Sequence, residues 1–594
     1  MHSYSRKPKT ISAFSIVEII LGVSLFAIFA SAAIAVAVQG LETERLGEEE
    51  AVATHYASEG LEALRSIRNT NFSSLSPTAA SGIDRVGNTW TLSGASTTFE
   101  KYTRIISITP VSRDASGNII STGGTLDPLS FHVSSAVTWN ITPSRTNTIT
   151  LSTYLDNWKK PLSPKKGMLV YADGNGTTDA LRYRVLDNEN NTWSSSTSVA
   201  DIDTGSTNRV ADTLRIFSSA AQNEYILLSR HHNSNTQYIY AQKYNGTSWN
   251  NVTLLASWSS TNYLNAKNFD GTYLANGDFL VVYSDGTRVP KSRVWSGSSW
   301  TSEISLPRVT KEPLVIVVRA RPGTNEVMMA SFDSAKDTFT DYFNGGAYTA
   351  GNWTSYSRHS SGANTTTKRH IDFAWSDANP AVGALIYPKN GTDKTITLKI
   401  FTANGTGGGS WSGETNATAE ARLGALSIVS DSANPFFLAC NEDTKQDITC
   451  FRANTSGAWT TPANNFLTTT TDAVTARSYH IGYENSGAEG VALFSDQTSI
   501  PKLKKYNGAT NAFDSSNTNL PTLSASMKTV MAVPATGSDI IFVMADGNNH
   551  VYTDMWDGTN NTLYSSGAHG FTPHGTNGTS NDTYWYDFEW EKYN

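Results

Sequence analysis

Hydrophobic and polar positions divide the chain into three parts with different patterns. Residues 14–38 are mostly apolar, with Glu18 as their single charge, and residues 1–13 before them carry three cations and no acid. At 1.5 Å per residue, these 25 residues would span roughly 37 Å as a helix, enough to cross a bilayer core. The pattern therefore predicts a leader at 1–13 and a membrane-spanning helix at 14–38, with the basic end in the cytoplasm.

The helical pattern continues beyond the apolar run. Leu61, Leu64 and Ile67 recur at helical spacing with polar residues between them. Runs rich in β-formers then predict strands at 89–93, 99–110, 131–140 and 147–155. Residues 39–158 are expected to form a small α+β domain in which the helix lies on a sheet, and 159–166, KKPLSPKK, a basic linker.

After residue 166 one unit recurs about every 50 residues. Each copy has a continuous apolar run, then a strand ending in an aromatic residue, a Gly-containing turn and usually a Trp, as in Tyr244-Asn245-Gly246-Thr247-Ser248-Trp249. A continuous run indicates a strand covered on both faces, and Asn-Gly indicates a two-residue type I′ hairpin turn. The period matches a four-stranded propeller blade and is short for a string of β-sandwiches, the alternative fold.

The ends of the repeat region predict how the propeller closes. The first unit begins directly with its second strand at Met168, and residues 584–590 form an aromatic strand without a unit of its own. We therefore expect the carboxyl terminus to complete the first blade, which removes free sheet edges. The repeats predict an all-β propeller of eight blades over 167–594, with seven open if one weak copy is not a blade.

Composition agrees with a β-rich protein and narrows its partners. Charged residues make up only 16% and aromatic residues 11%, while Ser, Thr, Asn and Gly dominate the polar positions. A net charge of −7 offers no basic field for nucleic acid. Two cysteines are too few for a disulfide scaffold. Cys440 and Cys450 fall on consecutive strands of one unit, where either a cross-strand disulfide or two buried thiols fits.

The segment Ser12-Ala13-Phe14-Ser15-Ile16-Val17-Glu18 resembles the processing site of type IV prepilins and the related pseudopilins. The resemblance implies that a prepilin peptidase cuts between Ala13 and Phe14 and methylates the new amino terminus. It also implies that Glu18 neutralises the terminal amine of a neighbouring subunit, since a carboxylate in a membrane needs a cationic partner. Ala13 replaces the usual Gly of the family, so slower cleavage is expected. A plain membrane anchor is the alternative.

Candidate chemistry is sparse. The patterns His-Glu-x-x-His, Gly-x-Ser-x-Gly and Cys-x-x-Cys are absent, so we expect no enzyme. Asp173, Asn175 and Asp179 have the alternate spacing of a calcium loop but lack its distal glutamate. We therefore expect no cofactor, with a bound Ca²⁺ as the alternative. The adjacent His231 and His232 indicate a surface pair. Several second strands end in an acid, and these acids either form turns or make an acidic rim. They are Asp173, Asp285, Asp333, Asp496 and Asp546.

These patterns together predict a membrane-inserted precursor whose bulk lies outside the cytoplasm. We expect a minor subunit of a type IV pilus, with the tip as one location, that displays the propeller for adhesion to a surface glycan or protein. Its other partners would be the prepilin peptidase, other pilin subunits and the inner membrane. Two alternatives stay open: a pseudopilin of a type II-like secretion system, and a surface-tethered glycan hydrolase with two carboxylates about 5–10 Å apart.

Overall fold

The computed structural model describes residues 15–70, 72–87, 89–114, 118–120, 123, 125–156, 166–173, 181–188, 192–202, 209–233, 235–259, 267–363, 370–389, 394–405, 407–468, 478–485, 489–564, 572–575 and 585–593. Two compact units, Met1–Lys160 and Pro161–Asn594, have separate cores. Their boundary falls within the predicted linker, most of which lies outside the described residues.

In the first unit, one long helix lies on an antiparallel sheet. The main sheet has the order β1-β5-β7-β8, β4 and β6 also pair with β5, and β2 and β3 form a separate hairpin. The predicted helix is present, and the four predicted strands overlap β3, β5, β7 and β8. The elements are α1 (Ile16–Thr70), a 3-10 turn (Phe72–Ser74), β1 (Thr78–Ser81), β2 (Ile83–Val86), β3 (Thr89–Leu92), β4 (Thr97–Phe99), β5 (Tyr102–Arg113), β6 (Ile119–Ile120), β7 (Thr125–Thr142) and β8 (Arg145–Asp156).

Only the second half of α1 packs on this sheet. Its buried residues form one stripe: Glu49, Ala53, Ala57, Gly60, Leu61, Ala63, Leu64 and Ile67. Leu61, Leu64 and Ile67 are among them, as predicted. Gly60 lies so close to Ser135 of β7 that a Cβ would come within 2.4 Å of the Ser135 hydroxyl. A residue without a side chain therefore lets the helix approach the sheet at this point.

The described residues of the second unit form eight antiparallel sheets in chain order. Sheets 1 to 4 contain β9 (Lys166–Ala172), β10 (Leu181–Asp187), β11 (Thr192–Trp193), β12 (Thr197–Ser198); β13 (Val210–Ser218), β14 (Tyr225–Asn233), β15 (Thr236–Tyr244), β16 (Trp249–Ser259); β17 (Phe269–Tyr273), β18 (Phe279–Tyr283), β19 (Lys291–Trp295), β20 (Ile304–Ser305); β21 (Pro313–Ala320), β22 (Val327–Asp333), β23 (Thr338–Phe343), a 3-10 turn (Ala350–Asn352) and β24 (Ser357–Ser360).

Sheets 5 to 8 and the last strand complete the second unit. They contain β25 (Asp372–Trp375), β26 (Val382–Pro388), β27 (Thr395–Ala403), β28 (Gly409–Trp411), β29 (Thr415–Thr418); β30 (Leu423–Ser430), β31 (Phe436–Asp443), β32 (Ile448–Asn454), β33 (Trp459–Thr460), β34 (Phe466–Thr468); β35 (Tyr479–Tyr483), β36 (Glu489–Phe494), β37 (Lys502–Asn507), β38 (Ala512–Phe513), β39 (Thr518–Asn519); β40 (Met527–Pro534), β41 (Ile540–Asp546), β42 (Val551–Asp557), β43 (Thr562–Leu563), β44 (Thr572–Gly575); and finally β45 (Tyr586–Trp590).

These sheets are arranged in a closed, propeller-like ring. The first strand of each of sheets 2 to 8 is innermost and contacts the inner strands of its neighbours. The inner strand of sheet 1 is β45, which pairs with β9 and contacts both β13 and β40. This pairing confirms the predicted closure by the carboxyl terminus. Four of the second strands, β18, β22, β26 and β41, are buried along their whole length, and β9, β14, β31 and β36 are buried except at one end, as predicted for continuous apolar runs.

The sheets alternate between two kinds, which the 50-residue repeat does not reveal. The inner strands of sheets 2, 4, 6 and 8 have eight or nine residues, with a β-bulge near the start of each. Those of sheets 1, 3, 5 and 7 have four or five residues and a regular register. The larger repeat is therefore a pair of sheets, and the ring contains four pairs.

Each short inner strand is hydrogen-bonded to the sheet that follows it. A side chain at one fixed position accepts a backbone N–H of the next long inner strand. The four bonds run from Ile216 N to Asp587 Oδ2 (2.8 Å), from Val318 N to Asp270 Oδ2 (3.2 Å), from Ile428 N to Asp372 Oδ2 (3.2 Å) and from Ala532 N to His480 Nδ1 (3.1 Å).

Three residues further on, an aromatic side chain ties each short strand to the sheet before it. The donors and acceptors are Tyr273 Oη to Glu224 Oε1 (2.9 Å), Trp375 Nε1 to Arg319 O (3.0 Å), Tyr483 Oη to Asp431 Oδ2 (2.8 Å) and Trp590 Nε1 to Val533 O (3.0 Å). The pattern Asp/His-x-x-Tyr/Trp therefore links each short strand in both directions. Four of the eight bonds are buried and four are partly buried, and hydrogen bonds of this kind specify which sheets are neighbours.

Two arginines extend these links into a chain of alternating charge along the inner strands. Arg215 lies 3.3 Å from Asp270 and 3.7 Å from Asp587, while Arg319 lies 3.0 Å from Asp270 and 3.7 Å from Asp372. The three carboxylates are almost completely buried. A buried charge needs an opposite charge close by, so these pairs join sheets 1 to 5 electrostatically.

Asp270 is the centre of this chain. Burial would raise its pKa, but Lys267, at 3.2 Å, together with Arg215 and Arg319, holds the pKa of Asp270 well below its usual range. The ionised carboxylate is therefore the form that the ring requires.

Replacing Asp270 by Ala tests this requirement. Lys267, Arg215 and Arg319 would lose their shared counter-ion, so we expect the free energy of unfolding to fall by about 3–5 kcal/mol. Urea denaturation of the full chain, followed by tryptophan fluorescence, measures the change. The control Asp285→Ala removes a partly exposed acid in a turn and should lower the free energy of unfolding by less than about 1 kcal/mol. Equal losses in the two variants would contradict the central role of Asp270.

The turns before the outer strands differ from the type I′ prediction. Gly246 and Gly297 have φ of 91° and 84°, but Asn245 does not adopt a positive φ. Instead, Asn245 Oδ1 accepts the backbone N–H groups of Thr247 and Ser248 at 3.0 and 2.9 Å. Because the Asn side chain forms part of the turn, one left-handed glycine is sufficient.

Candidate functional site

The amino-terminal half of α1 is an exposed apolar rod. Every large hydrophobic side chain from Ile16 to Val38 is between 52% and 75% exposed. Among the described residues, α1 is the one helix long and apolar enough to cross a membrane. Since continuous apolar surfaces of this size are rarely left in water, this segment is a candidate membrane anchor or signal sequence.

Glu18 is the single charge on this rod. Its Oε2 accepts the backbone N–H of Ser15 at 3.2 Å, so the carboxylate helps to cap the first turn of the helix. The side chain is exposed. Ala13 and Phe14 lie outside the described residues, and cleavage between them stays a prediction.

A second carboxylate anchors the helix where the exposed rod ends. Glu49 is 6% exposed and accepts hydrogen bonds from Trp139 Nε1 at 3.0 Å and Lys101 Nζ at 2.6 Å. The bond from Lys101 lowers the pKa of Glu49 against the opposing effect of burial. Glu49 is one of three consecutive acids, and only its position four residues before Ala53 places it in the buried stripe.

The acids predicted at the ends of the second strands belong to turns. Asp333 and Asp546 are buried, and each accepts the backbone N–H of the residue four positions later, at 2.9 and 3.0 Å. Asp285 and Asp496 each accept the N–H of a Thr two positions later, at 3.0 and 3.2 Å. These bonds support the turn interpretation over an acidic rim.

The predicted calcium loop is described only in part. Asp173 Oδ2 lies 3.1 Å from Arg182 Nε, which balances its charge. Asn175 and Asp179 lie outside the described residues. In the part of the chain that the structure describes, no group of three His, Cys, Asp or Glu side chains converges on a metal position. Calcium binding therefore remains a prediction.

The two adjacent histidines have different surroundings. His231 is fully buried, with Nε2 2.9 Å from Ser229 Oγ, and burial lowers its pKa to about 4. His232 is partly exposed, with Nδ1 3.1 Å from Asp212 Oδ2. The surface-pair prediction is wrong for His231, because β14 is a second strand and both of its faces are covered.

Cys440 and Cys450 lie directly opposite each other on β31 and β32. Their Cα atoms are 4.0 Å apart, and the structure joins them in a disulfide. Both cysteines belong to the apolar core between sheets 6 and 7. The bridge therefore links the second and third strands of sheet 6.

Three buried carboxylates have the raised pKa values that a general acid would need. Burial raises the pKa of Glu484 to about 7, and its Oε1 accepts a hydrogen bond from Trp556 Nε1 at 3.0 Å. The other two are Asp341 and Asp554. Burial raises the pKa of Asp341 to about 6 and that of Asp554 to about 7. They occupy equivalent positions on β23 and β42, with exposures of 0% and 1%, and one oxygen of each lacks a hydrogen-bond partner among the described residues. A hydrolase needs paired carboxylates in an open cleft, whereas these two are enclosed.

Replacing Asp554 by Asn should change how stability depends on pH. Because the pKa of Asp554 is raised in the folded chain, this chain binds the proton more tightly than the unfolded one. The ionising side chain therefore weakens the fold as pH rises from about 4 to about 7, by at most about 1.4 kcal/mol per pH unit. The free energy of unfolding of the variant minus that of the wild type, measured by urea denaturation, should therefore increase from pH 4 to pH 7.

A second variant provides the matched control. Asp341→Asn should show the same sign of change, but its range should end near pH 6, where the raised pKa of Asp341 lies. A stability difference that stays constant from pH 4 to pH 8 in both variants would contradict the raised pKa values.

Comparison with known proteins finds similarity at the level of structure alone. No protein-family model and no curated protein sequence matches the chain. The BP39L lectin of Burkholderia pseudomallei superposes with a TM-score of 0.44 at 10% identity, covering 60% of this chain and 97% of the lectin. The six-bladed, fucose-recognising lectin of Aleuria aurantia gives 0.31 at 12%, covering 62% and 97%. The WD40 domain of Toxoplasma gondii coronin gives 0.35 at 10%, covering 58% and 83%. Similarities at this level assign no ligand to this chain, whose propeller-like architecture rests on its own strand pairing.

Proposed function

We propose that this chain is a minor subunit of a type IV pilus that displays an eight-bladed propeller as a ligand-binding head at the cell surface. The observation that carries this proposal is the division of α1. Its first half is an apolar rod with one carboxylate, and its second half packs on the sheet of its own unit. A helix of this kind can serve both as a membrane anchor in the precursor and as a packing element in a fibre.

Glu18 has a defined part in this proposal. A prepilin peptidase would cut between Ala13 and Phe14, and the new amine of Phe14 would begin the helix. Within a bundle of apolar helices, an exposed carboxylate is tolerable only when a cation binds it. The terminal amine of a neighbouring subunit is such a cation, so Glu18 would fix the axial position of one subunit against the next.

The size of the head suits a minor subunit. Size scaling for the 428 residues of 167–594 gives a head roughly 55 Å across. Neighbouring subunits of a fibre stack closely around their helices, so a head this wide could not be carried by every copy. A subunit at or near the tip of the fibre has no further subunit above it, which leaves space for the head.

We assign binding rather than catalysis to the head. The carboxylates of the inner strands are engaged in ion pairs, and Asp341, Glu484 and Asp554, whose pKa values burial raises to about 6 or 7, are enclosed. A ring whose sheets are hydrogen-bonded to both neighbours is a rigid support for binding loops. A glycan or a protein at a target surface is the ligand class that we propose.

Glu18→Ala tests the assembly role. Loss of a charge leaves the apolar helix able to insert, so the precursor should reach the membrane as the wild type does, but incorporation into fibres should be abolished. Immunoblots of membrane and sheared-fibre fractions measure both outcomes. Glu48→Ala is the control, because it removes an exposed acid of the same helix beyond the apolar rod.

Two results would overturn this assignment. Normal incorporation of Glu18→Ala would refute the role of the carboxylate. Release of the wild type together with secreted cargo, with none in sheared fibres, would favour the pseudopilin of a secretion system instead.

Deleting residues 167–594 tests the display role. The first unit has its own cores between α1 and the sheet, so the shortened chain should fold and enter fibres. Binding of those fibres to target cells should be lost, as measured by counting attached labelled fibres. Undiminished attachment would contradict display by the propeller.

A further inference from the structure

Three exposed cations lie on two adjoining segments where sheet 3 joins sheet 4. Arg288 lies in the turn after β18, while Arg308 and Lys311 lie in the connection from β20 to β21. The backbone N–H of Val309 donates to the carbonyl of Arg288 at 2.9 Å, which places the turn against the connection. Among the described residues, none of the three side chains forms an ion pair or a hydrogen bond. Glu312, the nearest acid in sequence, is partly buried and already engaged.

An exposed aromatic ring adjoins these cations. Tyr356 is 41% exposed, donates its hydroxyl to the carbonyl of Arg308 at 3.0 Å and stacks on Phe339 with ring centroids 5.8 Å apart. Arg358, two residues later, is 48% exposed and lies over Phe339 at 5.8 Å while it pairs with Asp337 at 2.6 Å. These contacts hold the Tyr356 ring in one position and leave part of it open. Arg288, Arg308, Lys311, Tyr356 and Arg358 are called the basic surface below.

The same backbone arrangement recurs between sheets 7 and 8. There, Leu523 N–H donates to the carbonyl of Ser499 at 2.7 Å, as Val309 donates to Arg288. Leu520 N–H donates to Pro501 at 3.0 Å, as Leu306 donates to Pro290 at 2.9 Å. The two connections begin with the same dipeptide, Leu306-Pro307 and Leu520-Pro521.

The cations are absent from this second copy. The equivalents of Arg288, Arg308 and Lys311 are Ser499, Thr522 and Ala525. The backbone therefore forms equally well without charge at these three positions. Unpaired cations clustered on a chain with a net charge of −7 have no evident role in the fold, which points to an anionic partner from outside.

We propose that the basic surface binds an acidic saccharide, that is, a sugar chain bearing carboxylate or sulfate groups. Arg guanidinium groups form paired hydrogen bonds with such anions. The open part of the Tyr356 ring can pack against the apolar C–H face of a sugar, as aromatic rings do in small-ligand sites. A long nucleic acid fits less well, because the acidic chain repels an extended polyanion and a single ring offers little base stacking. This proposal rests on the display function and names its ligand class.

Exchange of the three cations for the residues at the equivalent positions tests the proposal on the full chain in detergent micelles. The variant R288S/R308T/K311A takes the residues already present at the equivalent positions, so it should fold. The probes are immobilised hexagalacturonate and heparin hexasaccharide, with maltohexaose as the neutral control. We expect the wild type to bind at least one acidic probe and not maltohexaose, and the triple variant to bind it at least tenfold more weakly.

Two further variants separate recognition of a sugar from charge alone. Tyr356→Ala should weaken binding of the acidic hexasaccharide several-fold. The reverse exchange S499R/T522R/A525K should strengthen binding or raise the number of bound probes per chain. Thermal unfolding transitions close to that of the wild type establish that each variant is folded.

Three outcomes would overturn the proposal: no binding of either acidic probe by the wild type, undiminished binding by the triple variant, or binding of a single-stranded DNA 20-mer that is as tight as that of the hexasaccharides and unaffected by Tyr356→Ala. Glu18→Ala should bind the probes as the wild type does, because the assay needs no fibre. Failure of the pilus assignment would therefore leave saccharide binding measurable, and the reverse also holds.

Discussion

The pairing of β45 with β9 is the contact on which the architecture of the second unit depends. It places Tyr586 opposite Tyr171 and so joins the last described strand to the first strand of the ring. The same short strand carries Asp587 and Trp590, which hydrogen-bond to sheets 2 and 8 respectively. Without β45, sheet 1 would lack its inner strand, and the inner strands of sheets 2 and 8 would each lose a neighbour. Closure is therefore a matter of hydrogen bonds as well as of shape.

Alternation of short and long inner strands explains how eight sheets can be joined with so few charged residues. Each short strand supplies one acceptor and one aromatic donor, and each long strand supplies a backbone N–H to the acceptor before it. Polar bonding is thus concentrated near the inner strands, while the surfaces between sheets are apolar. Neither the turn that contains Arg288 nor its equivalent with Ser499 takes part in these bonds, so the residues there can differ between pairs of sheets without loss of the ring. The contrast between Arg288 and Ser499 on equivalent backbones is an instance of this freedom.

The two halves of α1 in the first unit differ in which of their side chains are exposed. The residues up to Val38 expose apolar side chains on every side, and the residues from Glu49 onwards expose only one side because the sheet covers the other. The Glu49 carboxylate, with Trp139 and Lys101, lies where the two halves meet. A single continuous helix therefore combines an exposed apolar half with a half that packs on a sheet.

Local pattern was sufficient to predict a large part of this structure. Apolar run length predicted the helix, and the recurrence of aromatic residues and glycine turns predicted repeated four-stranded sheets with buried second strands. The unpaired strand at 584–590 predicted closure, because an aromatic β-strand at the end of a repeat needs a partner. In each case the signal lies within a few residues, and hydrophobic periodicity reports burial directly. The equivalence of Asp270, Asp372, His480 and Asp587 was present in the sequence as well, but only at a spacing of two sheets.

Contacts between residues far apart in sequence were decided only by the tertiary structure. Sequence patterns placed Glu49 among three similar acids and His231 beside His232, but packing determined which of them is buried. Asp333 and Asp546 became turn residues, and Asp341 and Asp554 became enclosed carboxylates, because neighbouring sheets cover them. The basic surface depends on a backbone bond between Arg288 and Val309 and on a hydroxyl bond from Tyr356. Periodicity along one strand reports which face is covered, whereas the identity of the covering residues depends on how separate strands meet in space.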